Sequence, residues 1–163
     1  MLSAKKIIVG VGDMATTNIP DAKIITYALG SCIGVSAYDP LMRIGGLIHI
    51  MLPEVATGDT SSGENPFIYA STGLPIFFDE LLKLGAMKFR LELKLAGGAS
   101  LFNENKLFNI GERNYTYIRQ YIKDNNYKLV SEAIGGTCSR TMTTLLSTGK
   151  VYLKIPGVGE VEL

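Results

Sequence analysis

The sequence has no tryptophan, one histidine, two cysteines and six prolines. Two cysteines cannot build a disulfide framework; the only pairing open to them is Cys32 with Cys138. With so few cysteines and no secretory signal, the thiols are expected to be reduced in a cytosolic protein. No Cys-x-x-Cys pair occurs, so a closed structural zinc site is excluded; Cys32, Cys138 and His49 would supply only three ligands. Charge of one sign is lacking too. Sixteen basic and fifteen acidic residues give a net charge of +1. That is not the basic footprint of a nucleic-acid binder, and no large one-signed field is available to steer a ligand. Apolar runs are broken by Gly, Thr, Ser or charge before they could span a bilayer. Met1 to Lys6 has no apolar segment of signal-peptide length, which predicts a cytoplasmic protein without membrane insertion. What is present is ordinary globular composition, 47% hydrophobic and 19% charged. The length predicts one domain over residues 1–163.

Short β-branched runs predict buried strands at Lys6 to Val11, Lys23 to Ala28 and Ile33 to Tyr38. Asp39–Pro40 predicts a turn, and Gly45 to Leu52 a returning strand stopped by Pro53. Thr57 to Pro66 is small, polar and Gly-rich, and predicts an exposed loop. Leu74, Phe77, Phe78, Leu81 and Leu82 recur at helical spacing, predicting a helix from Phe67 to Leu84 closed by Gly85. Pro75 either kinks that helix or marks its start. Lys88 to Leu95 alternates apolar with charged residues, predicting a half-buried strand. Glu112 to Asn125 predicts a second helix with Tyr117, Ile118, Tyr121 and Ile122 on one face. Strands at Lys128 to Ile134, Arg140 to Leu146 and Val151 to Ile155 follow. Many strands, two main helices and no strict βα alternation point to a layered mixed α/β (α+β) sandwich rather than a doubly wound parallel sheet.

Two segments carry residues able to do chemistry. His49 sits in the apolar strand Gly45 to Leu52, where it is either a buried, hydrogen-bonded core residue or a base; if histidine acts as a base here, it is this one. Leu29–Gly30–Ser31–Cys32–Ile33 is a corner between two strands. There Cys32 is either a small buried hydrophobe or a nucleophile. Gly30 permits close approach of a substrate backbone, and the N–H groups around Ser31 and Cys32 could meet an oxyanion. Strands joined by the Asp39–Pro40 turn can pair antiparallel, which would bring thiol and imidazole together. Thr26, on the preceding strand, offers a hydroxyl and a main-chain carbonyl to orient the ring. Cys138 has no cationic neighbour that the sequence identifies, so Cys32 is the expected reactive thiol.

The segments Thr26 to Val35, Tyr38–Asp39–Pro40 and Gly45 to Pro53 resemble the signature of CheD, the chemoreceptor glutamine deamidase family of bacterial and archaeal chemotaxis. The resemblance continues through Glu64–Asn65–Pro66, Tyr69–Ala70, Gly97–Gly98–Ala99, Ile110 to Asn114, Gly135–Gly136 with Arg140, and Thr148 to Val151. It implies a Cys–His–Thr catalytic triad at Cys32, His49 and Thr26, and a fold similar to the catalytic domain of the cytotoxic necrotizing factor toxins. It also implies methyl-accepting chemoreceptors as substrate, a CheC-type phosphatase of CheY-phosphate as partner, and no metal or organic cofactor. An alternative is a mainly non-catalytic adaptor of that phosphatase. At Ala133 the family pattern often has an acidic residue; here Glu132 stands beside it. The loop from Thr57 to Asn65, with the Gly97–Gly98 turn, is expected to border the substrate groove and to contact the partner.

Overall fold

The structure is a computed structural model that describes residues 3–56, 65–100 and 109–163. Among the described residues, ten strands form two five-stranded mixed sheets. One sheet has the order β1 (Lys6–Val9), β3 (Lys23–Leu29), β8 (Arg140–Leu145), β9 (Val151–Ile155), β10 (Gly159–Glu162). The other has the order β2 (Met14–Thr17), β5 (Ile44–Ile50), β4 (Ile33–Asp39), β6 (Glu92–Gly97), β7 (Lys128–Ile134). Two helices, α1 (Ala70–Lys83) and α2 (Ile110–Asp124), cover the outer face of the second sheet. There α1 lies over β5 and β2, and α2 over β4 and β7. The result is the expected layered α+β sandwich.

Strands β4 and β5 form the middle of this stack, and every residue in both is buried. That follows from their composition: with apolar or small residues on both faces, they need cover on both sides. Ile33, Val35, Ala37, Ile48 and Ile50 point into the core beneath the helices, where Phe77 and Leu81 of α1 and Ile118 of α2 meet them. Tyr38 and Leu47 point the other way, into the core between the sheets with Ile24, Leu29 and Met142. Two polar contacts span the gap between sheets: Ser36 Oγ with Thr144 Oγ1 at 2.9 Å, and the Tyr38 hydroxyl donating to the Leu146 carbonyl at 2.9 Å.

Several elements depart from expectation for identifiable reasons. β1 is shorter than Lys6 to Val11 and buries only Val9: it is an edge strand of its sheet, with Ile8 more than half exposed. β3 buries only its inward residues and is interrupted by a one-residue bulge. Helix α1 runs through Pro75, which neither starts it nor ends it, and Pro66–Ile68 ahead of it is a separate 3₁₀ turn. β2 and β10, which show little hydrophobic alternation, lie at sheet edges.

The largest departure is Lys88 to Arg90, expected to be strand and found as a 3₁₀ turn with Phe89 exposed. Its cause is Asp39 at the end of β4. The fully buried Asp39 carboxylate accepts from Arg90 Nε at 3.0 Å and pairs with Arg90 Nη2 at 2.9 Å. It also accepts the backbone N–H groups of Leu41, Met42 and Met87. Burial alone would raise this carboxyl, but the Arg90 guanidinium and the three N–H groups hold it below the usual carboxylate range. Satisfying Asp39 draws Arg90 inward and breaks the alternating pattern; regular strand resumes at Glu92. Asp39→Ala leaves a buried cation and three amides without partners. It is expected to lower stability by about 3 kcal/mol, read as a lower urea midpoint at unchanged slope.

Candidate active site

Thr26 lies on β3, Cys32 at the corner between β3 and β4, and His49 on β5; Thr26 and His49 are in hydrogen-bond contact. The bulge in β3 accounts for the first placement. Thr26 pairs with Met142 and Leu29 with Arg140, so three steps on β3 match two on β8. Ala28 takes up the extra residue at φ 57°, and both Thr26 and Leu29 turn inward while Tyr27 and Ala28 stay exposed. The chain then reaches the Gly30–Cys32 corner.

His49 is fixed by its backbone before its side chain is considered. Its N–H donates to the Asp13 carbonyl and its carbonyl accepts from Gly12 N–H, both at 3.0 Å. On the other side it stands opposite Gly34 in the β4·β5 ladder. Gly34 has no room for a side chain: a Cβ there would lie 2.7 Å from Met142 Sδ. Continuing that register places Cys32 diagonal to His49, a relation in which longer side chains still meet. Cys32 is half-buried and packs against the apolar cluster between the sheets.

The imidazole has a determinate tautomer. Thr26 Oγ1 donates its single proton to the Val9 carbonyl at 2.7 Å. The 2.7 Å contact between Thr26 Oγ1 and His49 Nδ1 must then be an N–H donated by the ring. The proton is on Nδ1, and Nε2 carries a bare lone pair. Nε2 is buried and, among the described residues, has no hydrogen-bond partner, Cys32 included. Such an acceptor is costly in a core and useful as a base. Burial holds His49 neutral, its pKa pushed down to about 4. Burial also pushes the Cys32 thiol up, partly offset by its own backbone N–H. The resting pair is therefore neutral thiol and neutral imidazole, not a preformed ion pair.

The corner itself is held by groups far away in sequence. Gly98 N–H donates to the Cys32 carbonyl at 2.9 Å, and Ala99 N–H to the Gly30 carbonyl at 2.8 Å. Gly97 lies at φ 117°, and a Cβ there would stand 2.1 Å from the Cys32 oxygen, so only glycine permits the approach. Asn114 of α2 donates to the Ser31 carbonyl. Arg140, almost fully buried, donates to the Ala133 and Gly135 carbonyls and supports the turn that receives Gly97. Asn65 bridges the Gly12 carbonyl to the start of the 3₁₀ turn at Pro66. Among the described residues, neither the Ser31 nor the Cys32 N–H donates to another residue.

Sequence reasoning expected the Gly97–Gly98 turn beside the groove but missed Asn114 as a residue that holds the corner. The available signal for Asn114 was its spacing: Asn114, Ile118 and Ile122 make one buried stripe on α2, and a polar amide in an apolar stripe calls for a partner. One expectation is corrected. Cys138 does have a cationic neighbour, since Arg140 lies within electrostatic reach of it. Cys138 is exposed and unpaired, so the Cys32–Cys138 disulfide is not formed. The three-ligand metal set also does not assemble: among the described residues no three His, Cys, Asp or Glu side chains come close enough to hold an ion. Most of the loop expected to border the groove, residues 57–64, lies outside the described residues. No helix among those described is long and apolar enough to cross a membrane.

Because the chain has one histidine, its titration can be read without assignment. The His49 ring signals in proton NMR are expected to move near pH 4 rather than 6.5. Between those values the unfolded chain binds a proton that the folded chain does not. Stability is thus full above pH 6.5 and is lost as pH falls toward 4, by roughly 3 kcal/mol in total.

Known proteins share this arrangement of sequence. A family model described as CheD chemotactic sensory transduction matches residues 51–155. A protein of Solibacter usitatus named probable chemoreceptor glutamine deamidase CheD is 40% identical over 153 residues, 94% of this chain and 90% of that protein. One of the same name from Clostridium botulinum strain Hall is 42% identical over 165 aligned positions, 99% of this chain and 100% of that protein. The family-model match begins just after His49; the Clostridium alignment also takes in the segment with Thr26, Cys32 and His49.

Proposed function

The chain belongs to the CheD family of chemotactic sensory transduction, and on that premise we propose that it is a chemoreceptor glutamine deamidase using Cys32 as nucleophile, His49 as general base and Thr26 to orient the ring. The observation that carries the mechanism is the unpartnered, unprotonated Nε2 of His49, with Nδ1 held by Thr26.

The reaction is acyl transfer in two halves. His49 Nε2 takes the Cys32 proton as the sulfur bonds to the carboxamide carbon of a receptor glutamine. The carbonyl oxygen becomes an oxyanion, received by N–H groups at the Ser31–Cys32 corner. When the oxyanion collapses, the C–N bond breaks and His49 returns the proton to the departing ammonia. A thioester remains on Cys32. Water, deprotonated by His49, adds to it; the C–S bond breaks and the thiol is restored. The product is glutamate, a new methylation site on the receptor. Thr26 keeps the second ring proton on Nδ1 throughout, so that Nε2 stays available.

Incubated with a receptor cytoplasmic fragment, the protein is expected to add about one mass unit per glutamine converted, because an amide becomes an acid. Cys32→Ala abolishes this, whereas Cys138→Ser, which removes the exposed thiol, retains the activity. His49→Ala costs about 10²–10⁴-fold or more. Thr26→Val leaves a measurable residue and Thr26→Ser restores most of it, since a hydroxyl is what the ring requires. The acid limb of kcat/KM is expected near pH 4, where His49 gains its proton. Near-normal turnover by a folded His49→Ala protein, or an acid limb near 6.5, would overturn the mechanism. A partner role toward a CheC-type phosphatase would survive Cys32→Ala; deamidation would not.

A further inference from the structure

The triad accounts for the thiol and the imidazole but not for the aim of the backbone at the corner. Asn114, in the second turn of α2, is fully buried. Its Nδ2 donates to the Ser31 carbonyl at 3.0 Å and to the Met51 carbonyl at 2.9 Å. Both amide protons are thereby used. Because both neighbours are acceptors, the amide has only one sensible orientation, and it leaves Oδ1 buried without a partner among the described residues. An unpaired buried acceptor is unfavourable for folding, so stability alone does not account for an amide here.

Three consecutive carbonyls, those of Gly30, Ser31 and Cys32, are tied to the β6 end and α2. The outer two use backbone amides of Ala99 and Gly98; the middle one uses the Asn114 side chain. Helix α2 comes near enough because residue 111 is glycine: a Cβ there would lie 2.6 Å from the Gly98 oxygen. A trans peptide is planar, so the Cys32 N–H points opposite to the Ser31 carbonyl. Holding that carbonyl on α2 turns the Cys32 N–H away from the helix. It lies on the side of its own sulfur, whose ionisation it favours. The same amide grips Met51, two residues beyond His49, so one side chain sets the corner against the strand that carries the base.

We propose that Asn114 is a positioning residue for deamidation, holding the Ser31–Cys32 peptide so that the Cys32 N–H receives the oxyanion formed when the thiol adds to the glutamine carboxamide. This rests on the Cys32 mechanism proposed above. It predicts a loss confined to steps that build negative charge on oxygen. Alkylation of the same thiol by iodoacetamide builds none.

The test compares Asn114→Ala and Asn114→Asp in a Cys138→Ser background, with Cys32→Ala as the control for the mechanism itself. In Asn114→Ala, kcat for a receptor fragment is expected to fall about 10- to 100-fold. KM should stay within about twofold, and Cys32 alkylation should fall far less than kcat, since there the Cys32 N–H only assists the thiolate and meets no oxyanion. In Asn114→Asp the carboxylate cannot donate, but its protonated form can donate once. The ratio of variant to parent rate should therefore rise as the pH is lowered, a signature that a purely structural role does not give. Equal loss of deamidation and alkylation, or an unchanged kcat in folded Asn114→Ala, overturns the proposal. Should Asn114→Ala fail to fold, the pH ratio for Asn114→Asp decides, and a flat ratio overturns it. Deamidation by Cys32→Ala would instead remove the mechanism on which the proposal rests.

Discussion

A single hydroxyl proton governs the site. Thr26 has one to give and gives it to Val9, which obliges its oxygen to accept from His49. That one constraint selects the tautomer, frees Nε2 and ties β1, β3 and β5 together across the space between the sheets. Everything else at this end serves it. The bulge turns Thr26 inward, Gly34 keeps the facing position on β4 clear, and the Asp13 and Gly12 backbone groups keep His49 from sliding along its strand. A carboxylate in place of Thr26 would raise the imidazole's basicity through its charge. A neutral hydroxyl orients without doing so, and the buried ring stays uncharged.

Neutral partners suit the setting. An ion pair buried between two sheets would carry a desolvation penalty that its attraction does not always repay. A neutral thiol and a neutral imidazole avoid it; in the mechanism proposed above, charge would appear only during the reaction, where fixed backbone dipoles can meet it. The cost is an unpaired acceptor on His49 and another on Asn114, both in the core. Elsewhere in the same core polar groups are paired with care, as with Ser36 and Thr144 or the five contacts around Asp39. Among the described residues, the unpaired acceptors lie at the end where the proposed triad sits, which supports that reading.

Much of this was readable from the chain. The β-branched runs gave β4, β7 and β9 to within a residue, because the local pattern and the buried environment agree there. Lys88 to Arg90 defeated the same reasoning: its alternation is real, but the acceptor that decides its conformation is Asp39, about fifty positions earlier. Thr26, Cys32 and His49 lie within one short stretch, so their association could be argued from a turn and two strands. Asn114 could not, since its partners Ser31 and Met51 are 83 and 63 positions away. Pattern reading finds residues that act through neighbours in sequence; it is blind to those that act through a fold not yet built.

The pairing of β3 with β8 has a consequence for the order in which the molecule can become itself. The strand holding Thr26 takes its main antiparallel partner from residues 140–145, near the other end of the chain. On its opposite side it has only the short parallel edge β1. A chain leaving the ribosome exposes the triad segment early, at a time when nothing can yet hold its third strand in register. Closure of that long loop is entropically demanding and slow. The register that turns Thr26 toward His49 is thus complete only after residues 140–145 have arrived, and on the mechanism proposed above Cys32 spends most of synthesis as an ordinary cysteine.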